Sequence, residues 1–271
     1  MQIGMDAGGS LTKVVTIEGN RRDFCMMDLD SAVEMAKSLN ECEGVYLTGC
    51  RADILESHLP EAVRKKVHRA DELTAFWTGA RHLLADEGKS VDAFVLVGFG
   101  TGTSVFAVEE GNGVRAAGTA VGGGTITGLS SLLLRTDSFE GIMEKAQRGN
   151  RHRVDLMVSD LYPDAKASPV LNELTASNFG AKTASLASEE DIASAILQLV
   201  IETIAVIAIQ VARTHRLDTV VVAGSPTRHP LVRSRFHELG TLLGHDFFTF
   251  LEHGPYCGAL GAVMLSHSCR S

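Results

Sequence analysis

Two glycine-rich turns, each set between apolar segments, are the part of this sequence best suited to binding phosphate. The first turn covers residues 4–13 and leads into residues 14–17, and the second covers residues 98–104 between residues 94–97 and 105–108. Each pattern predicts a strand, a tight turn and a second strand. Both turns offer clustered backbone N–H groups and hydroxyls that could bind phosphate oxygens. Two facing hairpins of this kind would form a phosphate clamp.

A third glycine cluster, at residues 122–125, opens an apolar helical pattern that continues to Leu134. Free N–H groups and the positive end of the helix dipole would meet there, so a third anion site is expected. A single glycine-rich turn is more often plain hairpin geometry, about three times in four, but three in one chain favour a ligand site. The P-loop and Rossmann signatures are both missing, which disfavours those two classes.

Four charged residues could act on a bound phosphate, and each also has an ordinary structural explanation. Asp6 could stabilise its own turn, or bind Mg²⁺ directly or through water. Lys13 could be a solvated strand residue or a counter-charge for phosphate. Glu72, in the first turn of a helix predicted over 71–87, is favoured there by the dipole, which would also keep it ionised and able to accept a proton from an alcohol. Arg115 could be a surface arginine or a clamp for a carboxylate or a phosphoryl group.

Composition limits the classes of function. The 271 residues suffice for one large or two modest domains, and the net charge of −8 argues against non-specific binding to nucleic acid or anionic membranes. The five cysteines lack a C-x-x-C pair, and the histidines lack zinc spacing, so we expect reduced thiols and no transition metal. No signal-peptide pattern opens the sequence, so we expect a cytoplasmic location.

Helical and strand patterns alternate between the turns. Helices are predicted over 31–39, with Ser31 as N-cap, and over 53–58, 61–68, 71–87, 230–243 and 256–265, and buried strands over 44–49 and 219–225. The apolar run 192–212 contains Glu202, which is costly in lipid, so it is interpreted as a buried or subunit-interface helix. This order predicts an α/β protein with an internal duplication, two lobes and a cleft between them.

The ordered motifs resemble a known family. Residues 6–13, 100–104, Arg115, 122–125, 174–180 and 223–225 together look like those of bacterial type II pantothenate kinases. The resemblance implies the fold of the acetate and sugar kinases, heat-shock protein 70 and actin. Two ribonuclease-H-like lobes with mixed five-stranded sheets, residues 1–92 and 93–271, would enclose an ATP cleft. It also implies ATP-dependent phosphorylation of pantothenate to 4′-phosphopantothenate, the first step of coenzyme A synthesis.

The same resemblance implies roles for individual residues. Glu72 matches the catalytic base, and Ser104 and Arg115 match positions at the pantothenate pocket. The implied ATP contacts are Asp6, Ala7, Gly8, Gly9, Ser10, Leu11, Thr12, Lys13, Thr101, Gly123, Gly124, Thr125, Ile126, Thr127, Phe139 and Ser225, with Asp6 also near Mg²⁺. Phe139 stands where a tyrosine is expected, and Asn150 where an aspartate is expected. The family is dimeric, and the helix beginning near Ile192 would be an interface element.

Two other functions remain open at this point. A kinase of the same fold could phosphorylate a sugar or an amino sugar instead of pantothenate. Alternatively, the chain could be an ATP-binding conformational module without a small-molecule acceptor, although 271 residues leave little room for a client-binding domain. The identity of the acceptor distinguishes the first alternative, and ATP turnover without any acceptor would favour the second.

Overall fold

Two mixed five-stranded sheets with the same strand order form the frame of the protein. A computed structural model describes residues 1–89, 91–136, 138–162, 172–244 and 248–268. Its strands are β1 Gln2–Ala7, β2 Thr12–Glu18, β3 Arg21–Met27, β4 Gly44–Thr48, β5 Val67–Arg69, β6 Phe94–Phe99, β7 Thr103–Glu109, β8 Asn112–Thr119, β9 Leu156–Met157, β10 Thr175–Ser177, β11 Val220–Ala223 and β12 Phe248–Phe250. The order is β3-β2-β1-β4-β5 in the first sheet and β8-β7-β6-β11-β12 in the second.

Strand direction repeats between the sheets as well as strand order. In each sheet the first three strands along the chain are antiparallel neighbours. The fourth strand lies parallel to the first on its other side, and the fifth lies parallel to the fourth. Both predicted hairpins are therefore confirmed, as are the α/β class and the internal duplication. The third strands, β3 and β8, were not predicted. β3 begins with three charged residues, and exposed and partly buried residues alternate along most of it, so only its last four residues are apolar and the strand signal is weak.

Ten α-helices among the described residues cover the sheets. They are α1 Leu29–Ser38, α2 Ala52–His58, α3 Glu61–Arg64, α4 Glu72–Asp86, α5 Gly123–Leu134, α6 Phe139–Arg148, α7 Val158–Leu161, α8 Glu189–His215, α9 Pro230–Leu242 and α10 Cys257–Ser268. Two predictions are wrong in detail. The N-cap of α1 is Asp28, whose Oδ1 accepts from the Ser31 N–H at 2.7 Å. The helix predicted over 61–68 ends at Arg64, because the next residues enter the first sheet as β5.

Helices α4 and α10 lie between the two sheets and belong to the core of both. One apolar cluster joins Val15 of the first sheet, Leu84 of α4, Leu260 of α10 and Phe106 of the second sheet. Helix α10 comes from the end of the chain, yet it packs against α4, β1 and β4. The boundary between the two lobes, predicted between residues 92 and 93, stays a prediction. These contacts fix the start of α4 beside the end of β1, and both carry candidate site residues.

Helix α8 is the core of the second half of the protein. It packs against α5, α6, α9 and β7, and the buried side of the predicted apolar run includes Ile196, Val200 and Ile204. Its length and composition would also suit a membrane span, but 67% of its most apolar stretch of 18 residues is buried inside the protein. Of the two predicted roles, a buried helix or a subunit-interface helix, the buried helix is confirmed, since most of its apolar side chains are covered by its own chain.

Residues 151–162 and 172–180 are held to α8 by a network of polar side chains. The Arg151 guanidinium donates to Thr175 Oγ1 at 2.9 Å, and the Thr175 hydroxyl donates to Glu202 Oε2 at 2.9 Å. Asp155, which is fully buried, accepts from the Phe179 N–H at 2.9 Å and lies 3.5 Å from Arg151. The motif at residues 174–180 thus joins two distant segments of the core, because buried polar groups require such partners.

Candidate active site

A cleft of about 990 Å³ lies where the turns of the two hairpins face each other. The β1–β2 turn supplies Gly8 to Leu11, and the β6–β7 turn supplies Gly98 to Ser104. The Ser10 and Thr101 hydroxyls form a hydrogen bond of 2.9 Å across the cleft. The predicted pair of facing hairpins is therefore present, with a hydroxyl from each turn at the same point.

The glycines at the start of α5 have a different role from the one predicted. The N–H groups of Gly123 and Gly124 donate to the carbonyl oxygens of Gly100 and Thr101, at 2.8 and 2.9 Å. The expectation that these two groups are free to bind an anion is therefore wrong in this structure. They hold the second turn against α5, and a Cβ atom at Gly122 would lie only 2.6 Å from the Thr101 carbonyl oxygen. ATP contacts by Gly123 and Gly124 stay predictions.

Asp6 lies at the end of β1, where two glycines leave room for its carboxylate. A Cβ atom at Gly49 would be 2.7 Å from Asp6 Oδ1, and one at Gly258 would be 2.6 Å from Oδ2. Gly258 is in the first turn of α10, whose N-terminal end therefore approaches the carboxylate. Burial raises the pKa of Asp6, and the charge of Lys13, its partner across the hairpin, opposes that change.

Glu72 lies in the first turn of α4, facing the same cleft. Asp71 caps this helix by accepting from the Thr74 N–H at 2.8 Å. Partial burial raises the pKa of Glu72, and the negative charges of Asp6 and Asp71 add to that effect. The position of Glu72 at the start of a helix favours its ionised form, whereas burial and the neighbouring negative charges favour its protonated form. A carboxylate with a raised pKa is a stronger base, which suits proton transfer.

The raised pKa of Asp6 predicts that this residue lowers the stability of the protein. A carboxylate that binds its proton more tightly in the folded state makes the free energy of unfolding fall as pH rises through the folded pKa. Asp6→Asn should therefore increase the melting temperature at neutral pH, by about 2–4 °C per kcal/mol relieved. Calorimetry from acidic to alkaline pH checks this, since the advantage of the variant should grow with pH. A variant equally or less stable at every pH would contradict it.

Arg115 lies on β8, the unpredicted third strand, and lines the cleft. It pairs in register with Phe106 of β7, while Ser104 pairs with Gly98 of β6. The guanidinium extends toward Gly118, where a Cβ atom would lie 3.1 Å from Arg115 Cζ. Glu72 and Arg115 therefore reach one cleft from a helix and a strand that pack against each other.

Most of the predicted site residues line this one cleft. Those that do are Asp6, Gly8, Gly9, Ser10, Leu11, Lys13, Glu72, Thr101, Ser104, Arg115, Gly123, Gly124, Thr127, Phe139 and Ser225. Ala7, Thr12 and Ile126 are buried instead, and the Thr125 hydroxyl accepts from the Gly122 N–H at 3.1 Å as part of a cap. Buried side chains can support the loops, whereas contact with a ligand could come only from their backbone.

The far end of the cleft is formed by residues around Phe139 and Ser225. The Phe139 ring meets the ring of His229 edge-on, with centroids 6.4 Å apart, and the Ser225 hydroxyl lies 3.7 Å from Met26 Sδ. Phe139 keeps an aromatic surface without the hydroxyl of the expected tyrosine. The other expected departure, Asn150, caps a short turn by accepting from the His152 N–H at 3.1 Å. Binding of the nucleoside at this end stays a prediction.

Several residues that line the cleft were missed by sequence reasoning. They are Met26, Leu73, Phe76, Arg228 and His229. Leu73 and Phe76 had been assigned only to the apolar side of a helix, where a residue facing a ligand and one facing the core give the same periodicity. The position of Glu72 could have indicated that Phe76 faces the cleft, because residues four apart on a helix share a face.

Solved structures with this fold include ATP-binding proteins of low sequence identity. The activator of the 2-hydroxyisocaproyl-CoA dehydratase from Clostridium difficile, with bound ADPNP, has a TM-score of 0.62 and 14% identity, covering 99% of this chain and 97% of that one. A ROK family glucokinase from Streptomyces griseus, in complex with glucose and AMPPNP, has a TM-score of 0.56 and 15% identity, covering 98% and 99%. The fold is therefore that of the actin and hexokinase class of α/β proteins.

Sequence comparison identifies the family within that class. The Fumble family model matches residues 17–265. The type II pantothenate kinase of Bacillus thuringiensis subsp. konkukian is 33% identical over 276 residues, covering 99% of each chain, and that of Oceanobacillus iheyensis is 34% identical over 271 residues, covering 98% of this chain and 99% of that one. The chain belongs to the Fumble family.

Proposed function

We propose that this protein is a pantothenate kinase, which transfers the γ-phosphoryl group of ATP to pantothenate and so begins coenzyme A synthesis. The observation that carries the proposal is the match to type II pantothenate kinases along nearly the whole chain. The structure adds a cleft in which two facing hairpins and a carboxylate with a raised pKa come together. Both features suit a kinase that phosphorylates an alcohol.

In the proposed reaction the two hairpin turns hold the phosphates of ATP. The Ser10 and Thr101 hydroxyls, which already meet across the cleft, supply hydrogen bonds from opposite sides. Glu72 accepts the proton of the pantothenate hydroxyl as its oxygen bonds to the γ-phosphorus. The bond from that phosphorus to the bridging oxygen breaks, and ADP leaves with the electron pair. Arg115 stabilises the negative charge of the transferring group or of the acceptor.

The residues around Asp6 fit a bound Mg²⁺ ion. Among the described residues there is no group of three or more histidine, cysteine, aspartate or glutamate side chains that could hold a metal. Mg²⁺ commonly binds through one or two carboxylates, substrate phosphates and water, so a single carboxylate beside two hydroxyl-bearing turns is a suitable donor set. When bound there, Mg²⁺ would neutralise phosphate charge. Gly49 and Gly258 leave the space that the Asp6 carboxylate occupies at this site.

The raised pKa of Glu72 predicts where activity is lost at low pH. A general base works only when it is deprotonated, so kcat/KM should fall as pH drops through the folded pKa of Glu72. Since partial desolvation and Asp6 raise that pKa, the loss should begin at a higher pH than for a glutamate with its ordinary pKa. A pH profile of kcat/KM checks this, and Asp6→Asn should move the acid limb to lower pH in whatever activity remains. An acid limb that coincides with the ordinary pKa of glutamate would argue against Glu72 as the base.

A panel of acceptors distinguishes this function from its rivals. The protein is incubated with ATP and Mg²⁺ together with pantothenate, glucose or N-acetylglucosamine, and the products are identified by mass. ADP release that depends on pantothenate, with 4′-phosphopantothenate as product, would support the proposal. If only a sugar were phosphorylated, the protein would be a sugar kinase and the proposal would fail. ADP release without any acceptor would favour a conformational module.

Two further predictions concern the protein in the cell. We expect it to act in the cytoplasm and as a homodimer, but α8 is a weak basis for a subunit interface, since most of its apolar side chains are already covered. Large apolar side chains that are exposed include Leu132 and Leu133 of α5. Sedimentation at micromolar concentration would measure the oligomeric state directly.

A further inference from the structure

Two apolar side chains face the cleft beside the proposed base. Leu73 follows Glu72 directly, and Phe76 lies one helical turn further along α4, on the same face as Glu72. Leu73 is 38% exposed, so it is not covered by the core. Exposed apolar surface inside a ligand cleft commonly contacts the ligand.

The contacts of Phe76 place its ring against the strands that carry Ser104 and Arg115. A Cβ atom at Gly98 would lie 3.1 Å from Phe76 Cε1, so the ring lies directly against the backbone of β6. The ring is also tilted against that of Phe106, with centroids 6.0 Å apart. Gly98 pairs in register with Ser104, and Phe106 pairs with Arg115. The ring of Phe76, one helical turn after Glu72, therefore packs on the second sheet beside the strand positions that carry Ser104 and Arg115.

Pantothenate has a matching order of chemical groups. Its reactive primary alcohol is attached to a quaternary carbon that carries two methyl groups, and its amide and carboxylate lie beyond that carbon. With the alcohol at Glu72, the next part of the molecule to meet the protein is this dimethyl carbon. A sugar would present hydroxyl groups at the same place, and an apolar wall would leave them without hydrogen-bond partners.

We infer that Phe76, together with Leu73, forms the subsite for the two methyl groups and so selects pantothenate over hydroxyl-rich acceptors. The inference rests on the proposed function, and it assigns the choice of acceptor to residues outside the phosphate loops and outside the Glu72 and Arg115 pair. Small apolar groups in a hydrophobic pocket are discriminated by about 10- to 200-fold each. Two methyl groups can therefore produce a clear preference.

The test compares two acceptors on matched variants. The acceptors are pantothenate and its analogue in which hydrogens replace both methyl groups, and kcat/KM is measured for each. The unmodified protein should prefer pantothenate by about a hundredfold. Phe76→Ala should reduce that preference to about tenfold or less, because the contact is lost only for the acceptor that carries the methyl groups. Phe76→Leu, which keeps an apolar side chain and is less disruptive, should give an intermediate preference.

Trp77→Phe is the matched control. Trp77 is the next residue of the same helix and contacts the same Phe106 ring, at 6.0 Å, but it does not line the cleft. Its replacement should change kcat/KM for both acceptors by the same factor and leave the preference intact. Equal losses for both acceptors in Phe76→Leu and Phe76→Ala would overturn the inference. If the unmodified protein phosphorylates neither acceptor, the proposed function itself fails.

Discussion

Glu72→Gln should reduce kcat with pantothenate by about a hundredfold or more while leaving ATP affinity nearly unchanged. The amide has nearly the same size and shape as the carboxylate, so the cleft and the start of α4 should be preserved. The amide, however, cannot accept the proton of the alcohol. ATP affinity should persist because the hydroxyls that meet at the phosphate site, those of Ser10 and Thr101, belong to other elements.

The measurement is steady-state kinetics together with ATP binding by calorimetry. Glu144→Gln is a suitable control, since Glu144 is an exposed residue of α6 that does not line the cleft, and its replacement should change neither quantity. A Glu72→Gln protein with turnover within a few-fold of the original would remove Glu72 as the base. Loss of ATP affinity in the same variant would assign Glu72 to nucleotide binding instead.

The removal of one negative charge gives this variant a second expected property. Burial raises the pKa of Glu72, and the negative charge of Asp6 raises it further, so the two carboxylates repel each other when both are ionised. Glu72→Gln removes this repulsion and should therefore stabilise the folded protein at neutral pH. A variant that is both more stable and nearly inactive would identify Glu72 as a residue retained for catalysis at the expense of stability.

The sequence predicted those parts of the site that are built from continuous segments. Both hairpins that face the cleft could be predicted because their glycine-rich turns and apolar strands are local signals. Strand β8 could not be predicted, since all of its residues from Asn112 to Thr119 are exposed or partly buried. The sequence therefore predicted no strand that would position Arg115. The strand order of the two sheets depends on pairing between distant segments, and only the repeat of the hairpins and the family resemblance indicated it.

Contacts between distant segments account for the remaining differences. The N–H groups of Gly123 and Gly124 looked available because their acceptors, the carbonyls of the β6–β7 turn, lie more than twenty residues earlier in the chain. The pKa of Glu72 could not be anticipated, because it depends on Asp6, which is brought near by the packing of α4 and α10 against the first sheet. The position of the Phe76 ring likewise depends on a distant residue, Gly98, because a side chain there would crowd the ring.

Gly261→Ala should destabilise the protein by about 3 kcal/mol, near the upper end of the usual cost of overpacking. A Cβ atom at Gly261 would lie closer than 3.0 Å to the carbonyl oxygen of Ala75 and 2.7 Å from the backbone nitrogen of Gly79. Both are backbone atoms of α4, so no side chain can turn away to make room. For a protein of this size the melting temperature should fall by roughly 10 °C, measured by calorimetry.

Gly128→Ala separates this packing effect from the general effect of replacing a helical glycine. Gly128 lies within α5, is exposed, and has no atom within 4 Å of the position that a Cβ would occupy. Alanine favours the helix by about 0.5–1 kcal/mol there, so this variant should be slightly more stable than the original. Because Gly261 holds α10 against the helix that carries Glu72, the Gly261→Ala protein that remains folded should also lose activity. Equal stability of the two variants would mean that α4 and α10 can separate without cost, and that their close packing does not fix the catalytic cleft.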